Sequence, residues 1–362
     1  MSAIFNWIHQ QLDISHGRNN TIGAMEGLRG LAVILVFFVH YSAQVKPYIN
    51  PETLTGLVLP YIEMGGNIGV DLFFVLSGYL IYGALIKHQT TDWRKYASRR
   101  FWRIYPTFAV VLVLYLILSI AIPSQSKLPA DALKALILIA QNALLMPGLF
   151  DVTAINTVTW SLSYEVWFYA VIPVVIGITG MRNWQVNTRI AFWCVLTVLL
   201  AALFYFVDGP KRILMFISGI ILLECHRHKT FKLPKFIGLV CLLIACVFYG
   251  LKRPLEFSGI WPVLMLYMLF FVLCLEAFTR DDGSARLLNF RPLRYLGNMS
   301  YSYYLIHSLA LKAVFFVLAV VMPASGNLSG FYWLAILPCF VVTCVASFGL
   351  FVVVERRAVV GR

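Results

Sequence analysis

Long apolar runs alternate with short polar and basic segments along the whole chain. Ten runs are long enough, or nearly so, to cross the ~30 Å hydrocarbon core of a bilayer as helices. They cover residues 27–45, 68–87, 104–122, 162–180, 190–207, 211–225, 236–251, 259–279, 301–322 and 331–354. The pattern therefore predicts an all-α polytopic membrane protein with about ten transmembrane helices.

An eleventh apolar run, residues 131–147, is shorter and carries Lys134, Gln141 and Asn142. The positive-inside rule, by which Lys and Arg accumulate in cytoplasmic loops, bears on its topology. If the run does not cross, 21 of the 29 Lys and Arg residues fall on one side of the membrane. If it crosses, the basic segment 226–235 moves to the opposite side and the asymmetry weakens. We therefore predict a re-entrant or interfacial helix at 131–147 and two cytoplasmic termini.

The pattern divides the chain into one large domain and two short flanks. Residues 1–22 lack the long apolar core of a signal peptide, and they place apolar side chains at helical spacing, as an interfacial helix does. We assign them to a cytoplasmic interfacial segment, residues 23–357 to an integral-membrane domain, and residues 358–362 to a short cytoplasmic tail.

Composition supports a membrane location and argues against two other classes. Apolar residues make up 60% of the chain and charged residues 12%, too few polar residues to cover a soluble core of this size. The net charge of +13 is divided among short loops, so no basic face remains for nucleic acid. The seven cysteines lie in or beside apolar runs without a CxxC pair, which favours small apolar side chains over a metal site.

Arg29 and His40 place two polar groups in the first apolar run. Eleven residues of helix turn through about 1100°, close to three full turns, so both side chains lie on one stripe, about 16 Å apart along the axis. An intramembrane charge is costly and is a candidate for function. His40 is either a proton-transfer group or a histidine with a hydrogen bond inside the bundle.

Glu165, in the segment WSLSYE, offers a second candidate catalytic group. Its carboxylate either orients His40, as the acid of a catalytic triad does, or reaches water at the membrane interface. Ser163 and Tyr164, which precede it, and Ser77 of the second run are candidates, by position alone, for stabilising an oxyanion.

Three arginines, Arg99, Arg100 and Arg103, cluster before the third run. Such charges orient a helix in the membrane, but spacings of three and four residues also place guanidinium groups on one helical face. Guanidinium groups bind phosphates in a bidentate manner, so a phosphorylated donor on the cytoplasmic side is a second explanation.

Polar residues in two other runs are supporting candidates. Asp71 and Ser77 lie in the second run. Ser77 and the glycine that follows it favour close helix packing. No GxSxG motif surrounds Ser77, which argues against Ser77 as a nucleophile. His307 enters the ninth run from the cytoplasmic side, where it is either structural or a contact to the donor.

Taken together, these motifs resemble those of the membrane-bound acyltransferase-3 family. The resemblance rests on Arg29 with His40, FFVLSG at 73–78, Arg100 with Arg103, WSLSYE ending at Glu165, SYSYYLIH ending at His307, and VVVERR at 352–357. These matches follow one another from residue 23 to about residue 357, so they cover nearly the whole chain.

The resemblance implies transfer of an acetyl or other acyl group from cytoplasmic acyl-CoA to a carbohydrate hydroxyl. Acceptors in the family include O-antigen, exopolysaccharide and lipid-linked glycans, and the setting is the bacterial cytoplasmic (inner) membrane. In this scheme His40 is the base, Glu165 orients it, and Arg29, Arg99, Arg100, Arg103 and His307 bind the donor. Acetyl-CoA is a substrate, and no permanently bound cofactor or metal is expected. No SGNH-type domain follows the last run, so we expect transfer to be completed in the membrane domain or by a separate protein.

Two other functions stay open at this level. Ten helices, a re-entrant segment and intramembrane charges also suit a secondary transporter or flippase of a glycan precursor, although no inverted repeat is visible. A non-catalytic partner in a glycan assembly system is the third possibility. The acceptor sugar, the acyl length and the oligomeric state are not encoded in any motif that we recognise.

Overall fold

The computed structural model describes residues 2–13, 20–87, 92–207, 209–228, 231–324, 326 and 328–360, and within these ranges the chain is helical without a β-strand. The helices are α1 (Ser2–Leu12), α2 (Asn20–Val45), α3 (Leu54–Gly66), α4 (Ile68–Ile86), α5 (Trp93–Ala121), α6 (Ala132–Ala143), α7 (Trp160–Thr179), α8 (Val186–Phe206), α9 (Ile213–His228), α10 (Ile237–Gly250), α11 (Trp261–Thr279), α12 (Ser284–Leu288), α13 (Arg291–Asn298), α14 (Ser300–Val321), α15 (Phe331–Leu350) and α16 (Arg356–Val360). Short 3₁₀ turns lie at Lys46–Tyr48, Pro123–Gln125, Thr157–Thr159 and Met181–Asn183, and a π-helix at Phe351–Glu355 joins α15 to α16.

A helix lies at each of the ten predicted runs, which confirms an all-α polytopic membrane protein. In the described residues, eight helical segments are long and apolar enough to cross a membrane. The other two predicted spans are shorter, because α9 has 16 residues and α10 has 14. Every residue of α9 from Leu214 to Cys225 is buried, so protein rather than lipid surrounds this helix and it does not need full membrane length.

The segment predicted not to cross contains α6, which has 12 residues and is about 18 Å long, well short of the bilayer core. Asp131 caps this helix by accepting a hydrogen bond from the backbone of Lys134. Asn142 fixes the loop that follows: its side chain donates to the carbonyl of Thr153 and accepts from the backbone of Ile155. The non-helical loop therefore has its polar backbone groups satisfied by protein, as a re-entrant segment requires.

The apolar runs did not predict helices α3, α12 and α13. Helix α3 leads into α4 and makes one apolar segment of 33 residues, Leu54–Ile86. Helix α13 packs against α2 so closely that a Cβ atom on Gly30 would lie 1.9 Å from the backbone oxygen of Leu293. Glycine is therefore required at this contact, and it sets the distance between the two helices.

Both ends of the chain pack together on one face of the bundle. In α1, His9 hydrogen-bonds the hydroxyl of Tyr295, and Gln11 accepts a hydrogen bond from Arg356. The chain therefore begins and ends on the same side, as an even number of crossings requires. We call this side, which also carries Arg99, the basic end, and the opposite side the distal end.

The boundaries of the three segments differ in detail from the prediction. Helix α2 already begins at Asn20, inside the segment assigned to 1–22, and α16 continues into the segment assigned to 358–362 as far as Val360. Residues 1, 14–19, 361 and 362 lie outside the described residues.

Candidate active site

A cavity of about 220 Å³ lies between α2, α4, α5, α7 and α14, and five of the eleven predicted site residues line it: Arg29, Ser77, Arg100, Arg103 and Glu165. Along α4 its lining runs from Ile81, in the last two turns, to Val70, in the first turn. Eleven residues of helix correspond to a length of about 16 Å. The cavity therefore extends from near the basic end deep into the bundle.

Three arginines line the cavity: Arg29, Arg100 and Arg103. The Nε of Arg29 donates to the hydroxyl of Ser300 at 3.1 Å. The guanidinium carbon of Arg100 lies 5.0 Å from the ring centre of Tyr169, and its buried Nε has no hydrogen-bond partner among the described residues. A buried donor without a partner is unfavourable, so Arg100 is available to bind a ligand anion.

Arg99 differs from the other arginines of its cluster. Its side chain is exposed, and it is not among the residues that line the cavity. The structure therefore brings Arg100 and Arg103 together with Arg29 and leaves Arg99 at the surface of the basic end.

Glu165 also lines the cavity, where it joins two helices. Its Oε1 accepts a hydrogen bond from Ser77 of α4 at 3.2 Å and another from Tyr169, one turn further along α7. Its negative charge attracts Arg29 and Arg103. Within the described residues it forms no hydrogen bond or ion pair with His40, so the structure places the two predicted catalytic groups in different surroundings.

Glu355, which the sequence analysis did not single out, is a second carboxylate near the arginines. It is buried in the π-helix and accepts hydrogen bonds from the backbone and the hydroxyl of Ser302, at 3.0 and 2.5 Å. Its charge attracts Arg29 and Arg103. The signal was an acid directly after the last apolar run, in VVVERR, and π-helices are frequent at functional sites.

The charges of the cavity favour an anionic ligand. Three guanidinium groups and one carboxylate, that of Glu165, are among the residues that line the cavity. Glu355 is buried and is not part of the lining. Guanidinium groups in a site of low dielectric bind phosphate strongly and with defined geometry. The rest of the lining is uncharged and mainly apolar or aromatic, including Phe73, Phe74 and Leu80, a surface suited to an uncharged chain.

His40 and His307 form a separate polar pair. Their ring centres are 4.8 Å apart and the rings are nearly perpendicular, at 70°. His307 is fully buried, whereas His40 is partly exposed. Tyr304 connects this pair to the cavity, because it lines the cavity and its ring centre lies 6.1 Å from that of His307.

The remaining predicted residues lie outside the cavity. Asp71 is buried, with an oxygen 3.6 Å from the Nε of Arg212. Ser163 donates to the backbone carbonyl of Pro147 and so anchors the loop after α6. Tyr164 lines an apolar cavity of about 290 Å³ on the other side of α7. Of the supporting candidates, only Ser77 reaches the arginine cavity.

Comparison with known proteins gives a consistent family match. The profile of the acyltransferase-3 family, described as an acyltransferase domain, matches residues 22–352. The acyltransferase MdmB of Streptomyces mycarofaciens is 26% identical over 324 residues, which cover 80% of this chain and 79% of MdmB. No solved structure shows significant similarity.

Two O-acetyltransferases are similar over a comparable part of this chain. The peptidoglycan O-acetyltransferase OatA of Listeria monocytogenes is 24% identical over 323 residues, which cover 79% of this chain and 49% of OatA. The O-acetyltransferase OatA of Staphylococcus aureus is 26% identical over 318 residues, which cover 78% of this chain and 49% of that protein. The chain thus spans about half the length of either OatA.

Proposed function

The chain belongs to the acyltransferase-3 family, and on this premise we propose that it transfers an acetyl or related acyl group from acyl-CoA to a hydroxyl of a surface carbohydrate. The observation that carries this proposal is the arginine-lined cavity, which starts near the basic end and contains an unpartnered guanidinium nitrogen of Arg100. Coenzyme A carries phosphates at one end and a thin uncharged arm at the other, and the cavity is basic first and apolar further in.

In the proposed complex, Arg100 and Arg103 hold the phosphates of acyl-CoA, and Arg29 binds deeper in the cavity. The pantetheine arm follows the apolar lining towards Phe73 and Tyr304. A hydroxyl of the acceptor, carried by a glycan or a lipid-linked glycan, approaches from the distal end. His40 removes its proton as the oxygen attacks the thioester carbon, and holding both substrates at one imidazole lowers the entropic barrier.

The family and the topology also suggest where the protein acts. We propose the bacterial inner membrane, with the basic end in the cytoplasm, because Lys and Arg accumulate on that side and because acyl-CoA is cytoplasmic. The likeness to two O-acetyltransferases supports acetyl as the acyl group and a cell-surface glycan as the acceptor.

The test uses the purified protein in nanodiscs with radiolabelled acetyl-CoA and a soluble peptidoglycan oligosaccharide as the probe acceptor. We expect CoA release and a labelled oligosaccharide, both lost in a folded His40→Ala variant. Uptake of a glycan precursor into proteoliposomes, with acetyl-CoA neither bound nor cleaved, would overturn the proposal in favour of a transporter. A second measurement, NMR of surface polysaccharide from cells with and without the gene, identifies the natural acceptor.

A further inference from the structure

The imidazole of His307 is held in one orientation by its own helix. Its Nδ1 lies 2.8 Å from the backbone carbonyl oxygen of Tyr303. The ring of Tyr303 stacks on it almost in parallel, with centres 5.1 Å apart and an angle of 9°. With Tyr304 also in contact, the ring of His307 has little freedom to flip.

This orientation fixes the tautomer. A carbonyl oxygen only accepts hydrogen bonds, so Nδ1 of His307 carries the hydrogen atom of this contact. In a neutral imidazole the other nitrogen, Nε2, is then a hydrogen-bond acceptor. Nε2 of His307 is buried, and it has no hydrogen-bond partner among the described residues.

His40 is a polar side chain whose ring contacts that of His307. Its ring is the perpendicular neighbour of His307, and it forms no hydrogen bond with any described residue. Glu165, the residue predicted to orient His40, already accepts hydrogen bonds from Ser77 and Tyr169. His40 therefore needs another group to accept the N–H that it already carries and to stabilise the imidazolium that forms when its other nitrogen takes up a proton.

We propose that His307 is the positioning residue of His40: its Nε2 accepts the N–H of His40 and stabilises the imidazolium that forms during acyl transfer. This inference rests on the proposed function. The acceptor hydroxyl oxygen bonds to the thioester carbon, its proton passes to His40, and the carbon–sulfur bond breaks. The CoA thiolate leaves and takes the proton back from His40, so that His307 ends unchanged.

The arrangement also explains why a second histidine suits this position better than a carboxylate. A neutral imidazole supplies an acceptor without placing a further charge in a buried site, where an unpaired carboxylate is costly. The pair can hold one positive charge while His40 is protonated, and it is neutral before and after the reaction.

Two substitutions separate this role from simple packing. In His307→Asn the amide occupies the position of Nδ1, and the acceptor at Nε2 is lost. In His307→Gln the longer side chain places its amide oxygen near the position of Nε2. We expect His307→Asn to lower kcat for acetyl transfer to the oligosaccharide about 100-fold with an unchanged KM for acetyl-CoA, and His307→Gln to restore a large part of it.

The exposed His9 supplies a control, because His9→Asn should leave kcat unchanged. Equal activity in the two His307 variants, or a loss that appears in KM, would overturn the inference. If His307→Asn does not fold, ¹⁵N NMR of histidine-labelled wild-type protein identifies the tautomer of His307. A hydrogen atom on Nε2 of His307 would exclude Nε2 as the acceptor. A wild type that cleaves no acetyl-CoA removes the proposed function as well, whereas an active wild type with an active His307→Asn removes this inference alone.

Discussion

The hydroxyl of Ser77 donates a hydrogen bond to the carboxylate of Glu165 at 3.2 Å, which connects α4 to α7 inside the arginine-lined cavity. The same carboxylate oxygen accepts a hydrogen bond from Tyr169. Glu165 therefore balances the charge of Arg29 and Arg103 from a fixed position. Glu165 could therefore act in two ways: it could orient His40, or it could adjust the electrostatic potential in the cavity.

Glu165→Gln tests these two roles. The change removes one negative charge beside two arginines, so we expect CoA to bind about two- to fivefold more tightly at low ionic strength, with a smaller effect at high salt. Isothermal titration calorimetry with CoA at two salt concentrations measures this effect. An unchanged affinity together with a collapse of kcat would instead favour orientation of His40 by Glu165.

The arginine cluster supplies its own matched control. Arg100→Ala combined with Arg103→Ala should weaken CoA binding about 100-fold or more, because each charge-assisted hydrogen bond to phosphate contributes about 1.5–3 kcal/mol. Arg99→Ala removes an exposed charge four residues from Arg103 and should have a small effect. Equal effects of the double variant and Arg99→Ala would exclude a specific phosphate site in the cavity.

His40→Gln should abolish acetyl transfer and leave CoA binding intact. General bases contribute about 10²- to 10⁴-fold to rate, and His40 is not among the residues that line the arginine cavity. Single-turnover assays with labelled acetyl-CoA give the rate, and calorimetry gives the affinity. Substantial remaining turnover would exclude His40 as the base.

The buried ion pair of Arg189 and Glu224 should be important for folding. Two nitrogens of Arg189 donate to the two oxygens of Glu224 at 2.7 and 3.0 Å, and both residues are buried. Glu224→Ala leaves the arginine without its counter-charge, which costs about 3–5 kcal/mol. Thermal unfolding in detergent should show a clearly lower midpoint, whereas the exposed Lys232→Ala should match wild type.

We expect acid to loosen the structure locally around Asp282, at the basic end. Hydrogen bonds from Arg280 and Lys235 lower the pKa of Asp282 from 3.8 to about 2. Because the pKa of Asp282 is lowered in the folded state, its contribution to stability is complete above about pH 4. This contribution is lost as the pH falls towards about 2. Hydrogen exchange of residues 231–236, corrected for the intrinsic rate, should rise over this range. In Asp282→Asn the exchange rate of these residues should already be raised at about pH 4 and should vary less with pH.

The apolar runs predict much of the fold, because a helix in lipid must satisfy its backbone internally and must be apolar over a known length. Two helices depart from this rule. Helix α3 contains Pro60 and Glu63, and α9 is shorter than a bilayer because its neighbours bury it. Such elements depend on tertiary contacts that no single run encodes.

The site is predictable to the same degree. The shared stripe of Arg29 and His40 follows from helix periodicity alone. The partner of His40 does not, because it depends on which helix packs beside α2 at that depth, and that helix is α14 with His307. Glu355 was missed for a related reason: its position beside the arginines depends on the contact between α14 and the π-helix.

Aromatic side chains line the deeper part of the arginine cavity, where the ring centres of Phe73 and Tyr304 lie 6.3 Å apart. His40 lies beyond them and does not line the cavity. Within the described residues, the side chain of Tyr304 thus stands between the arginine-lined cavity and the pair of His40 and His307. If the donor binds in this cavity as proposed, acyl transfer therefore requires a side-chain movement before the chemical step.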